Sequence, residues 1–156
     1  MNTRLIGAIT LIFLIIIALG LSLTSEREES VRIGVVTTLT TGAASIGYDM
    51  RDAIELAREH MGGEMGGIPV TVVYEDDAFD PNVGRQKTER LVQRDNVHFV
   101  TGYIWSNVLL ASYKAATDND VFVISANAGP SQLAGPECSE NFFSVSCQND
   151  QTPMAI

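Results

Sequence analysis

Ser106 is the residue of this chain whose type and position best suit the binding of a small anion. It follows an apolar, β-branched stretch at residues 97–101 that predicts a strand, and it begins a predicted helix that runs through Ala116. The first main-chain N–H groups of a helix have no partner within the helix, and together with a hydroxyl they favour an anion. Ser106 could therefore bind a carboxylate or serve only as the N-cap of the helix, and the two roles are compatible.

The loop at residues 125–129, Ser-Ala-Asn-Ala-Gly, is a second candidate, and it follows another apolar stretch. Small residues let a ligand approach the main chain closely. Carbonyl groups of this loop could accept hydrogen bonds from an ammonium group, and its amides could donate to a carboxylate. The alternative for this loop is an ordinary turn with no ligand.

Asp76 and Asp77 form an acidic pair after a predicted strand, which would suit either a metal or phosphoacceptor site or a solvated strand end. The solvated strand end is the simpler interpretation, because no further carboxylate or histidine falls on an adjacent loop. His60 and His98 are isolated and are interpreted as structural. Nucleotide-binding glycine patterns, a nucleophile elbow, a zinc-protease motif and paired CxxC motifs are all absent from the sequence. We therefore expect no catalytic residue, no metal and no cofactor.

Strands and helices alternate along the chain. Strands are predicted at residues 31–36, 68–74, 97–101, 121–125 and 142–146, and helices at residues 45–60, 80–95 and 106–116. This alternation predicts an α/β fold, a doubly wound parallel sheet with helices on both faces and right-handed crossovers. Ligands of such sheets bind beyond the carboxyl ends of the strands. The argument selects the loops at residues 38–47, 103–107 and 125–129.

The N-terminus has the order of an export signal. Arg4 precedes residues 5–25, which carry no charged side chain. We expect residues 1–24 to be a signal peptide or, given the length of the apolar run, a hydrophobic membrane-anchor helix, with residues 25–156 exported. The net charge of −9 makes nucleic acid an improbable partner. In an oxidising compartment Cys138 and Cys147 could form a disulfide, or they could remain independent thiols.

Several short stretches resemble the Leu/Ile/Val-binding family of type I periplasmic binding proteins. The similarity covers residues 31–156, and its motifs are IGVV at 33–36 continuing to Gly47, YEDDAFDP at 74–81, GYIWS at 102–106, ISANAGP at 124–130 and QNDQ at 148–151. The resemblance implies a fold of two α/β lobes that close over a ligand. Residues 25–156 would then be an N-terminal lobe that is incomplete at its C-terminus, and this chain alone would bind ligand weakly or not at all.

The same resemblance implies a function without chemistry. The protein would be a monomeric periplasmic component of an ABC importer that captures a branched-chain amino acid or a similar small carboxylate, including an aromatic one, and docks on a membrane permease. The alternatives are the ligand-binding domain of an extracytoplasmic sensor or, further from the pattern, an enzyme that uses Asp76 and Asp77 as a phosphoacceptor site.

Roles for individual residues also follow from the resemblance. Ser106 would bind the ligand carboxylate, Asn127 would offer its main-chain carbonyl to an ammonium group, and Gly129 would offer its amide to the carboxylate. Ile46 would cover the side-chain pocket, and Trp105 would lie beside Ser106 in the site. Many relatives have a hydroxyl at the position of Gly129 and an aromatic ring at that of Ile46, which counts against an ordinary branched-chain amino acid.

Two aromatic residues occupy positions that form a disulfide in some members of this family. They are Phe79 and Trp105. We expect the two rings to pack against each other in place of the bridge.

Overall fold

A computed structural model describes residues 30–151 of the chain, and the predicted signal or anchor at residues 1–24 lies outside them. The strands are β1 (Val31–Thr37), β2 (Glu64–Met65), β3 (Ile68–Asp76), β4 (Phe99–Thr101), β5 (Phe122–Ser125) and β6 (Phe142–Ser144). The helices are α1 (Ala44–His60), α2 (Pro81–Gln93) and α3 (Ser106–Thr117), and a 3-10 helix spans Ser131–Ala134. Within the described residues, no helix is long and apolar enough to cross a bilayer.

The strands form one sheet in the order β2-β3-β1-β4-β5-β6. Neighbours from β3 through β6 are parallel, as predicted. The edge strand β2 is different, because it runs antiparallel to β3, and the prediction of an all-parallel sheet is wrong there. The glycines at positions 62, 63, 66 and 67 all have positive φ. They fold the chain back into a hairpin where the sequence indicated only a turn.

Helices cover both faces of the sheet. Gly34 of β1 points toward α2, since a Cβ built on it would lie 2.8 Å from a methyl carbon of Leu91. Its neighbour Ile33 points to the opposite face, where it shares an apolar pocket with Ile54 and Ala57 of α1. The main core lies between the sheet and the helices α2 and α3, and its fully buried members include Val36, Leu91, Val100, Tyr103, Val108, Leu109 and Val123.

The direction of the connections changes at β1. From β1 the chain crosses to β3 on one side, and from β3 it crosses to β4 on the other side of β1. β1 and β4 are therefore neighbours whose following loops lead away from each other, which opens a crevice at their carboxyl ends. The helices α1 and α3 begin at this crevice.

Candidate functional site

The N-terminus of α3 has no side-chain cap. Its N-cap residue is Trp105, and no side chain accepts a hydrogen bond from the first helical amides. The prediction that Ser106 caps this helix is wrong, because Ser106 is the first helical residue and its hydroxyl contacts Asn149 instead. The first N–H groups of α3 therefore remain available at the crevice.

The helix α1 begins in a similar way. Its N-cap is Ala43, which has no side chain able to accept from the helix, and its first turn contains no acidic residue. Gly47 in that turn is buried against the end of β1, where a Cβ would lie 1.9 Å from the carbonyl oxygen of Thr38. Both helices that start beside the switch point direct positive dipole ends to the same crevice, but the amides of Ala44 and Ile46 in α1 already donate to the carbonyls of Thr41 and Ala43.

The loop at residues 125–129 is attached to the loop that precedes α3. The side-chain amide of Asn127 donates to the carbonyl of Ile104 at 2.8 Å. The main-chain N–H of Ala128 donates to the carbonyl of Tyr103 at 3.3 Å. Asn127 is thereby held by the residues that lead directly into Ser106, so the two loops selected from the sequence lie together.

Gly129 has no space for a side chain. A Cβ at this position would lie 1.9 Å from the carbonyl oxygen of Cys147. The carbonyl of Gly129 accepts from the main-chain N–H of Asn149 at 2.7 Å, whereas its own N–H has no acceptor among residues 30–151. The absence of a hydroxyl here, in contrast to many relatives, therefore has a steric cause.

Residues 146–149 contact three of the five predicted ligand-binding positions, Ser106, Asn127 and Gly129, and their part in the site was not predicted. The hydroxyl of Ser146 donates to the carbonyl of Asn127 at 2.6 Å. The side-chain amide of Asn149 donates to the hydroxyl oxygen of Ser106 at 2.9 Å. The only sequence signal was the QNDQ motif at 148–151, which did not specify a contact.

Trp105 is half-buried and is held by two contacts. Its ring lies against Phe79 with a centroid separation of 4.4 Å, which confirms the predicted aromatic contact. Its indole N–H donates to the hydroxyl oxygen of Thr38 at 2.9 Å, and Thr38 in turn donates to the carboxylate of Asp77 at 2.6 Å. This chain of contacts joins the ends of β1, β3 and β4 and fixes the entry to α3.

The acidic pair organises the loop that follows β1. Burial raises the pKa of Asp77, which accepts from Thr38 and from the amide of Phe79 while its second oxygen has no partner. Burial alone would raise the pKa of Asp76, but hydrogen bonds from the hydroxyl of Thr40 and from the amides of Leu39 and Ala78 outweigh it and lower that pKa. These bonds give both carboxylates a structural role, and among residues 30–151 they join no metal-binding group of three side chains.

The remaining predicted residues are Ile46 and the two cysteines. Ile46 is 44% exposed in the first turn of α1, the helix that begins at the crevice. Cys138 and Cys147 are exposed free thiols, so this structure has no disulfide between them. The physical reason is their placement: Cys138 lines a polar hollow with Tyr113 and Lys114 of α3, whereas Cys147 lies against Gly129.

Comparison with known proteins gives a consistent result. The chain is 32% identical over 97 residues to the Leu/Ile/Val-binding protein homolog 2 of Brucella abortus, covering 61% of this chain and 26% of that protein. It superposes on an ABC transporter substrate-binding protein from Sphaerobacter thermophilus with a TM-score of 0.75 and 33% identity, covering 81% of this chain and 35% of that one.

A second solved structure is a solute-binding protein of an ABC transporter from Rhodopseudomonas palustris BisB5, in complex with 3,4-dihydroxybenzoic acid. It superposes with a TM-score of 0.71 at 27% identity, covering 76% of this chain and 32% of that one. This chain therefore spans about a third of the length of these solved relatives. The family profile described as periplasmic binding protein matches residues 30–156, and the chain belongs to that family.

Proposed function

We propose that this chain forms one lobe of an extracytoplasmic substrate-binding protein that captures a small carboxylate for an ABC importer. The uncapped N-terminus of α3 beside the hydroxyl of Ser106 is the observation that carries this proposal. Free helix amides, a positive dipole end and a hydroxyl together provide hydrogen bonds and electrostatic attraction for a carboxylate. The N–H of Gly129, which has no acceptor among residues 30–151, supplies a further donor.

The mechanism is capture without a chemical step. A ligand held at α3 would also contact a second lobe, and its binding to both lobes would shift the equilibrium toward a closed form. The closed form would dock on a membrane permease as a monomer outside the cytoplasm. The matched part of this chain covers only about a third of the solved relatives, which supports a partner lobe.

The relatives support the ligand class. The Rhodopseudomonas palustris protein was solved with an aromatic carboxylate, and the Brucella abortus protein is described as a homolog of a branched-chain amino-acid binder. A carboxylate is the group that these two kinds of ligand share. The position of Ile46, exposed at the rim of the crevice, suits a cover over the apolar part of such a ligand.

A thermal-shift and calorimetric screen of the full-length protein against small carboxylates tests this function. Ligands that bind only the native state raise the melting temperature by mass action. Each acid should be paired with its neutral primary amide, for example benzoate with benzamide, and we expect only the acids to bind.

The variant Ser106→Ala should weaken carboxylate binding by about 10- to 100-fold, the equivalent of one hydrogen bond to a charged group. Ser112→Ala is the matched control on the same helix, because Ser112 is fully buried and faces α2 rather than the crevice. If the amides bind as well as the acids, or if both variants retain full affinity, the proposed function is wrong.

A further inference from the structure

We propose that residues 146–149 are a third element of this ligand site and that they select carboxylates lacking an α-ammonium group. The inference rests on the proposed function and narrows its ligand class. Two observations carry it: the hydrogen bond from Ser146 to Asn127, and the imbalance between free donors and free acceptors around α3.

Most main-chain carbonyls of the two ligand loops already accept a hydrogen bond. The carbonyl of Asn127, which would bind an ammonium group, accepts from the hydroxyl of Ser146 at 2.6 Å. The carbonyl of Gly129 accepts from Asn149, and that of Ala128 accepts from Ser125. The two carbonyls before α3, those of residues 103 and 104, accept from the loop at 125–129.

Several N–H donors at the same loops, in contrast, have no acceptor within the described residues. The first amides of α3 have no side-chain cap, and the N–H of Gly129 has no acceptor within residues 30–151. The site is therefore rich in free donors and poor in free acceptors. Such a site complements a carboxylate, whereas each occupied carbonyl has only one of its two lone pairs left for the N–H groups of an ammonium.

Asn149 contributes to the carboxylate side of the site. Its side-chain amide donates to the hydroxyl oxygen of Ser106 at 2.9 Å, and the reverse contact, from Ser106 to the Asn149 side-chain oxygen, is longer at 3.4 Å. With a lone pair of its oxygen occupied, the Ser106 hydroxyl can direct its proton to a ligand. The bond from Asn149 N–H to Gly129 holds this side chain between the two ligand loops.

An ammonium group enclosed here would lose water without gaining full replacement. A polar group buried without a hydrogen-bond partner is unfavourable, and a charged group more so. We therefore expect an α-amino acid to bind at least about tenfold more weakly than the acid of the same shape that lacks the amino group.

Matched ligand pairs measure this preference in the full-length protein. Isothermal titration calorimetry should compare hydrocinnamate with phenylalanine and isocaproate with leucine, because the members of each pair differ only in the ammonium group. We expect the deamino acid of at least one pair to bind tenfold or more tightly than its amino acid.

The variant Ser146→Ala releases the carbonyl of Asn127. It should retain affinity for the deamino acid and reduce the preference several-fold, while Ser146→Thr, which keeps the hydroxyl, should restore it. Ser139→Ala is a control outside the ligand loops, since its hydroxyl accepts only from the amide of Asn141. These measurements separate a contact in the site from a general effect on folding.

The outcomes distinguish this inference from the function on which it rests. Amino acids that bind as tightly as their deamino partners would overturn the inference and leave carboxylate capture standing. An unchanged preference in Ser146→Ala would equally overturn the assignment of selectivity to residues 146–149. If neither these acids nor any other small carboxylate binds, the proposed function itself fails.

Discussion

The helices α2 and α3 both follow a parallel strand, but only α2 has a side chain that accepts hydrogen bonds from its first main-chain amides. At α2 the carboxylate of Asp80 accepts from the amides of Asn82 and Val83 at 2.7 and 3.1 Å. At α3 the N-cap is Trp105, which accepts nothing from the helix through its side chain. One helix end is closed by the chain itself, and the other is left open.

The position of each helix in the sheet explains the difference. The helix α2 follows β3, away from the switch point, whereas α3 follows β4, which borders the crevice beside β1. The free amides of an open helix end need water or a ligand as their hydrogen-bond partner. This difference supports the ligand position proposed at α3, whereas the cap of α2 serves the stability of its helix.

The largest effect should come from Gly47, which brings the first turn of α1 against the end of β1. In Gly47→Ala the new Cβ would lie 1.9 Å from the Thr38 carbonyl oxygen, and the main chain would have to move. We expect a loss of about 3 kcal/mol in the free energy of unfolding, despite the better helix propensity of alanine. Urea unfolding measures the change. Gly42→Ala, whose Cβ would contact nothing within 4 Å, should be close to neutral.

An N-cap carboxylate introduced at α3, like that of Asp80 at α2, should remove the anion-binding character of the α3 N-terminus. Trp105→Asp would place an N-cap carboxylate on the free amides, where it repels an incoming anion. Trp105→Asn removes the same ring and also caps the helix, but it adds no charge. We expect the Asp variant to bind carboxylates about tenfold more weakly than the Asn variant. Equal affinities in calorimetry would show that the helix end does not bind the anion.

Opening α2 should affect stability and leave ligand binding unchanged. Asp80→Ala removes the cap and should cost about 1 kcal/mol in the free energy of unfolding. Asp80→Asn keeps an accepting oxygen and should recover most of that loss. Chemical denaturation with a parallel binding titration checks both quantities, and a loss of affinity in Asp80→Ala would contradict the separation between the two helix ends.

The smallest effect concerns Asp77, which supports the entry to α3 through Thr38. Burial raises the pKa of Asp77, so the native state holds this proton more tightly than the unfolded state does. The wild type should therefore lose stability as pH rises above the unfolded value of about 3.9 and until it passes the native pKa. Asp77→Asn lacks this loss.

As pH rises above about 4, Asp77→Asn should therefore become more stable relative to the wild type. Asp76, whose pKa is lowered, is present in both proteins, and its charge is one of the minor causes of the raised pKa of Asp77. Urea unfolding across this pH range gives the comparison. A relative stability that falls as pH rises would contradict the raised pKa of Asp77.

Most of the fold was predictable because its signals are local. Short β-branched runs marked the parallel strands, and the Asp80-Pro81 pair marked the start of α2, as the structure confirms. The strand β2 was not predictable, since two residues carry no periodic pattern and only the pairing with β3 makes Glu64 and Met65 a strand. The predicted helix start at Ser106 was correct, but the predicted cap was not.

The candidate site was predictable in outline and incomplete in detail. The switch-point rule and the family resemblance together selected Ser106 and the loop at 125–129. They did not reveal the contacts of Ser146 and Asn149, because the bond from Asn149 to Ser106 spans 43 residues and depends on how β5 and β6 direct the chain. The link from Trp105 through Thr38 to Asp77 was unseen for the same reason.

The amino-acid sequence by itself determined the alternation of elements and the closed start of α2, because each depends on residues adjacent in the chain. Only the tertiary structure decided which carbonyls are already occupied and which amides remain free. The hydrogen-bond partners of these groups come from distant segments of the chain. The proposed preference of the crevice for a simple acid over an amino acid depends on them.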